Sequence, residues 1–326
     1  MILTTPPILD FQGIQCHNLF VCSVQKFLFL FLTFFSFLLP IPLNAETKIK
    51  IPTEYGEVIY QSNEKSSKQI FIIGISHRDA ITCLNGDNTS RVQAEVYKIG
   101  DWLIHNQGLE LLLPEGFFKN TSIKNEKKNI TAQEREISCT SLNMKGLEEK
   151  FSDDQTYINA EMLLKANHPL RLQQVEDRGL YEAVQNGLLK LVNCREDTSH
   201  YLGLKSELDY LQERRTAAML QKIPEIVNSE YLQGNIKGRK AIFTIGLSHL
   251  YRIIQYMNED GIRIYAPLSA SNGDKDYIAK LTLQKENFGV SVIIPRTLAA
   301  DQTILKINGL DRIVREYQSK TPFALQ

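Results

Sequence analysis

Apolar runs of strand length alternate along the chain with amphipathic segments of helical period. Residues 54–60 alternate as a short strand, and 69–74 form an apolar strand ending at Gly74. Between Arg91 and His105, the residues Val92, Val96, Ile99 and Leu103 recur at helical spacing, which predicts an amphipathic helix. LELLLPEG (109–116) then predicts a buried strand stopped by Pro114 and Gly116. Strand, helix and strand in that order favour a parallel pair joined by a right-handed crossover. Residues from about 118 to 150 are rich in Lys, Asn, Glu, Ser and Thr, lack periodicity, and read as a polar surface excursion. Regular patterning resumes with LRLQQVED (170–177) as a strand, followed by helices near 179–192 and 200–223. KAIFTIG (240–246) is a strand, LYRIIQYMNED (250–260) a helix stopped by Gly261, IRIYAP (262–267) a strand, and VSVII (290–294) another after a further helix. This alternation predicts an α/β fold, with one domain over 46–326 built on a largely parallel or mixed central sheet flanked by helices.

The first 45 residues are a different material. They hold eight of the fifteen phenylalanines and only two charges, Asp10 and Lys26. After Lys26 comes FLFLFLTFFSFLL (27–39), then PIPLNA and the charged ETKIK. A basic residue, a short apolar run and a small residue at Ala45 predict a secretory signal peptide, 1–45, cleaved before Glu46. The competing reading is an uncleaved anchor, but Pro40 and Pro42 end the run short of the ~20 residues a spanning helix needs. No stable membrane anchor is therefore expected, and the predicted location is periplasmic or secreted. Residues 1–20 stand ahead of the usual basic region, which points to a start codon placed too far upstream.

Composition narrows the partners. The chain is 43% hydrophobic and 23% charged, which is ordinary for a globular protein. Lys plus Arg and Asp plus Glu both total 37, so no global field recruits nucleic acid. Cys16 and Cys22 belong to the leader, leaving Cys83, Cys139 and Cys194. An oxidising compartment allows one disulfide among them; Cys83 with Cys139 is preferred because both flank the candidate site described next. No CxxC or Cys/His ladder points to a zinc finger. NTS at 88 and 120 and NIT at 129 fit the glycosylation pattern, which bears only on a eukaryotic source.

The candidate chemistry begins with an echo: IFIIGISH (70–77) returns as IFTIGLSH (242–249), identical at six of eight positions. In open α/β sheets, ligands bind beyond the carboxyl ends of the strands. The polar strand endings are Gly74 to His77, Glu115, Glu176 to Arg178, and Gly246 to His249. A glycine there permits a sharp turn or close approach, and the histidine that follows is delivered above the sheet edge. Two such histidines and a carboxylate could hold a divalent metal, or serve as base and acid on a bound water. A single strand-end histidine is more often structural; its repetition favours a shared role for His77 and His249. Glu115 has the alternative of capping a turn, and Glu176, Asp177 and Arg178 that of an internal salt-bridge knot. Glu213, Arg214 and Arg215 have that of a solvated helix face. His105, His168 and His200 have no companions in their segments and read as surface residues.

In order along residues 70–260, these elements resemble the TraB/TIKI family, itself similar to the erythromycin esterase and ChaN-like proteins. They are GISH, LPEG, EDR, QERRTAAM and GLSH. The resemblance implies an α/β domain of that type and a hydrolase of peptide or ester bonds. In the TIKI branch it implies divalent-metal assistance, by Mn, Co or Zn, with His77, Glu115 and His249 as ligands. His77, Glu115, His249 and Glu176 are the implied catalytic residues, supported by Gly74, Gly246, Asp177, Arg178, Glu213 and Arg214. The esterase branch implies metal-free hydrolysis with histidine and glutamate, and the ChaN-like relatives imply haem or ligand binding without turnover. The implied partner is a peptide or small-molecule substrate. Both GxxH motifs carry Ser at the third position, where many members of the family differ.

Overall fold

A computed structural model of the chain describes residues 49–76, 86, 88–119, 143–152, 158–195, 199–259, 261–267 and 276–320. The predicted signal peptide, His77, Cys83, Cys139 and the glycosylation patterns at 120 and 129 lie outside the described residues.

Six strands make the central sheet: β1 (Gly56–Ser62), β2 (Gln69–Ile75), β3 (Leu111–Pro114), β4 (Arg171–Leu172), β5 (Lys240–Gly246) and β8 (Gly289–Pro295). Their order is β1-β8-β2-β5-β3-β4. All neighbours run parallel except β1, which pairs antiparallel with β8, so the sheet is mixed. Every residue of β2 and β8 is buried, as is β5 after Lys240, because central parallel strands are covered on both faces and need apolar side chains on both. That is why these strands read as nearly continuous apolar runs, broken only by Gln69, Thr244 and Ser291.

The helices are α1 (Thr89–Gln107), α2 (Met144–Ser152), α3 (Ala160–Asn167), α4 (Arg178–Val192), α5 (Ser199–Leu232) and α6 (Leu250–Asn258), then α7 (Thr282–Lys285), α8 (Arg296–Ala300), α9 (Gln302–Ile307) and α10 (Asp311–Lys320). α1 ends at Gly108, whose φ of 64° is the left-handed geometry a helix C-terminus favours and glycine adopts without strain. α1 also buries Glu95, which accepts from the Thr297 N–H and hydroxyl at 2.8 and 2.7 Å. Burial nevertheless raises the pKa of this carboxyl, outweighing the two Thr297 hydrogen bonds and nearby Arg91.

Four sequence expectations are corrected. The strands β2 and β3 are parallel but not adjacent: β5, which joins late in the chain, lies between them. LRLQQVED pairs only at Arg171–Leu172; Gln173 still donates its N–H to Leu112 O, but the backbone then leaves the sheet for the cap of α4. The strand expected at 262–267 is β6 (Ile262–Ile264), which pairs antiparallel with β7 (Tyr277–Ala279) in a separate two-stranded sheet. The polar excursion ends in structure, since residues 144–150 belong to α2, which buries Leu147 and Phe151.

The echoed motifs are neighbours but not equivalents. Sequence alignment matches Gly74 to Gly246, whereas the sheet pairs Gly74 with Ile245 and Ile75 with Gly246. A one-residue slip sends every matched side chain to the opposite face, so Phe71 and Phe243 fill the core on different sides.

Candidate functional site

The carboxyl ends of β3 and β5 meet through a glutamate. Glu115 follows Pro114, and its N–H donates to Thr244 O on β5 at 2.9 Å. Its carboxylate reaches across the same gap, where Oε2 accepts the Gly246 N–H at 2.6 Å. Beyond Gly246 the chain makes a tight 3₁₀ turn, Leu247–His249, that leads into α6. His249 Nε2 stands 3.5 Å from Glu115 Oε1.

A long helix supplies the other half. α5 buries Arg215, Met219, Ile223 and Val227 at intervals of four, so Arg215 lies on the stripe that faces the sheet. Its Nη2 is 2.8 Å from Glu115 Oε1 and donates to Glu176 Oε2 at 2.6 Å, while Nε donates to Glu176 Oε1 at 2.9 Å. Glu176 Oε2 also accepts the Gly116 N–H at 3.2 Å. Burial opposes the Arg215 charge, but hydrogen bonds and Coulomb attraction from Glu176 and Glu115 more than offset it and raise its pKa. The Arg215 guanidinium lies 5.1 Å over the Tyr181 ring, and Phe118 meets that ring edge-on.

The next residue on α5 orients the histidine. Thr216 Oγ1 donates to Gln212 O at 2.9 Å, the turn before, and lies 2.6 Å from His249 Nδ1. A hydroxyl has one proton to give; with that proton on Gln212 O, Oγ1 accepts from Nδ1–H, and Nε2 is the nitrogen that can take up a proton, which the nearby Glu115 carboxylate would then favour.

Glu115, Glu176, Gly246 and His249 therefore gather around Arg215. Gly74 serves the cluster by absence of a side chain: a Cβ there would stand 2.5 Å from Leu250 Cδ1 and 3.2 Å from Leu247 Cδ1, so the first motif makes room for the turn of the second. Asp177 caps α4, accepting the Leu180 N–H, and that bond, ahead of Lys222, lowers its pKa. Arg178 stacks on Phe118 at 5.1 Å. Glu213 pairs with Arg252 at 2.7 Å, and Arg214 donates to the Tyr210 hydroxyl and lies 4.7 Å over Tyr277. The arginine in the carboxylate cluster is thus Arg215 and not Arg214. His77 lies outside the described residues; the preceding Ser76 accepts a hydrogen bond from Gln93 at 3.1 Å. Arg215 and Thr216 are the residues that sequence reading missed, and the signal for both was the buried stripe of α5.

The metal expected at His77, Glu115 and His249 fits the described pair poorly. Glu115 Oε2 is held by a backbone N–H, and a cation at Oε1 would compete with a buried guanidinium for the same oxygen. A different set could hold a metal ion: Asp101, His105 and His168 bring ligand atoms within 4.8 Å of one another. His105 and His168, read from sequence as solitary surface residues, are companions here, and the His168 side chain is 11% exposed. Among the described residues, no helix is long and apolar enough to cross a membrane. No family model, curated protein or solved structure matches the chain.

Proposed function

We propose that this chain hydrolyses a peptide or ester bond by proton transfer through His249, acting on substrate after export. The observation that carries this reading is the line from Thr216 through the imidazole to Glu115, 2.6 Å on one side and 3.5 Å on the other. Thr216 fixes the ring so that Nε2 is the working nitrogen. Nε2 takes a proton from water as the oxygen adds to the carbonyl carbon. The imidazolium so formed lies against the Glu115 carboxylate, which stabilises its charge, and then returns the proton to the leaving oxygen or nitrogen as the scissile bond breaks. Arg215 keeps the Glu115 oxygen aimed at the ring, and Glu176 anchors the other edge of the guanidinium. Glu176, Arg215 and Thr216 are buried, and the Glu115 and His249 side chains are only 9% and 11% exposed, which limits screening by bulk water.

This sequence of steps asks for no metal at Glu115. Turnover of an ester and peptide panel in the presence of a chelator tests it. Hydrolysis that persists there and is lost in His249→Ala supports the reading.

A further inference from the structure

We propose that Asp101, His105 and His168 bind a divalent cation of the zinc class, at the sheet end opposite the Glu115–His249 cluster. α1 runs from the carboxyl end of β2 to the amino end of β3, so its last turns, with Asp101 and His105, lie at the amino-terminal end of the sheet. His168 precedes β4 by three residues and lies at that same end.

The donor set suits such an ion. Asp101 and His105 are four apart on one helix and share a face. Asp101 Oδ1 stands 3.0 Å from His168 Nε2 and 3.3 Å from His105 Nδ1, which also lies 2.9 Å from the Asp101 backbone O and would exchange that hydrogen bond for the ion. Tetrahedral zinc with ligands at about 2.0–2.1 Å sets those ligands about 3.3 Å from one another. A single carboxylate oxygen thus faces a nitrogen of each of two imidazoles, and the His168 Nε2 among them is buried away from water. The imidazole rings meet edge-on at 5.4 Å. Two imidazoles with one carboxylate select zinc, cobalt or nickel over magnesium and calcium, which prefer oxygen.

The His168 side of the site is built before any ion arrives. His168 N–H donates to Leu164 O at 3.0 Å, and the side chain of the adjacent Asn167 donates to the Tyr97 hydroxyl on α1 at 2.9 Å. The histidine is thus tied to the helix that carries its two partners. His105, with a side chain 65% exposed, leaves the fourth position facing solvent, open to water. A cation here would staple α1 to the segment entering β4. Metal found in the purified protein would then belong to this staple and not to the hydrolytic cluster.

The test is calorimetric titration of the untagged, metal-stripped full chain with Zn²⁺, with Co²⁺ absorption as a second readout. One ion per chain is expected, with the intense visible bands of tetrahedral Co²⁺ and a rise in Tm on adding Zn²⁺. His168→Ala and, separately, His105→Ala should each weaken Zn²⁺ by at least about 100-fold, the upper end of what losing a mere supporting partner costs. His105 is exposed, so its variant decides the matter even if His168→Ala does not fold. His249→Ala should bind Zn²⁺ as the wild type does. Absence of Zn²⁺ binding, binding that survives His105→Ala, or binding lost with His249 would overturn the proposal.

Discussion

Replacing Arg215 by methionine should unfold much of the margin that keeps this domain folded. The substitution keeps an unbranched chain against Tyr181 but removes the guanidinium from between Glu176, which is 1% exposed, and Glu115. Three contacts of 2.6, 2.8 and 2.9 Å disappear together. Removing one partner of a buried ion pair costs about 3–5 kcal/mol, because the carboxylates left behind are desolvated without compensation. Against a total stability of about 5–15 kcal/mol, that is a large share. At roughly 2–4 °C per kcal/mol for a domain of this size, Tm should fall by about 6–20 °C. Thermal unfolding followed by circular dichroism measures the Tm and urea unfolding the free energy, with Arg214→Met as the neighbouring control. Arg214 is half-buried and rests on Tyr210 and Tyr277, so its loss should cost only about 0.5–1 kcal/mol. Adding Glu176→Gln to Arg215→Met should recover part of the loss, since one stranded charge is gone. A cost for Arg215→Met below about 1 kcal/mol, the range of an exposed pair, would refute the placement of this arginine in a buried network.

Gly74→Ala should destabilise by about 1–3 kcal/mol through overpacking against Leu250, read as a lower urea midpoint at constant m-value. Two carboxylates should pull the pH dependence of stability in opposite directions. Glu95 has a raised pKa, so its contribution is full below its unfolded value of about 4.3 and is lost as pH rises through the folded one; the difference between wild type and Glu95→Gln should therefore shift against the wild type from pH 4 to neutrality. Asp177 has a lowered pKa, so its contribution is present above about 3.9 and fades as acid protonates the folded cap; Asp177→Ala should cost about 0.5–2 kcal/mol at pH 7 and progressively less in acid.

Much of the sheet was legible because its inner strands are covered on both faces and are therefore mostly apolar, as QIFIIGI and VSVII are apart from Gln69 and Ser291. Strand order was not, since nothing local distinguishes a strand that pairs with its predecessor from one, like β5, that inserts between two earlier strands. Strand endings did point to Glu115, Glu176 and His249, because side chains just past a parallel strand share one sheet edge. The helix partner escaped by a single position: Glu213, Arg214 and Arg215 are consecutive, and only the phase of the α5 stripe turns Arg215 inward. The Asp101, His105 and His168 set was invisible for a different reason. His168 is 63 residues from His105 in sequence, and only the fold brings the two rings together.

Hydrolysis by wild type and His249→Ala, both held in EDTA and assayed on the same ester and peptide panel, decides whether His249 carries the proton. Wild-type turnover should be undiminished by the chelator, and His249→Ala should lose about 10²–10⁴-fold with an unchanged unfolding midpoint. Equal turnover by the two proteins, or wild-type turnover abolished by EDTA and restored by a divalent ion with Asp101, His105 and His168 all replaced, would contradict it.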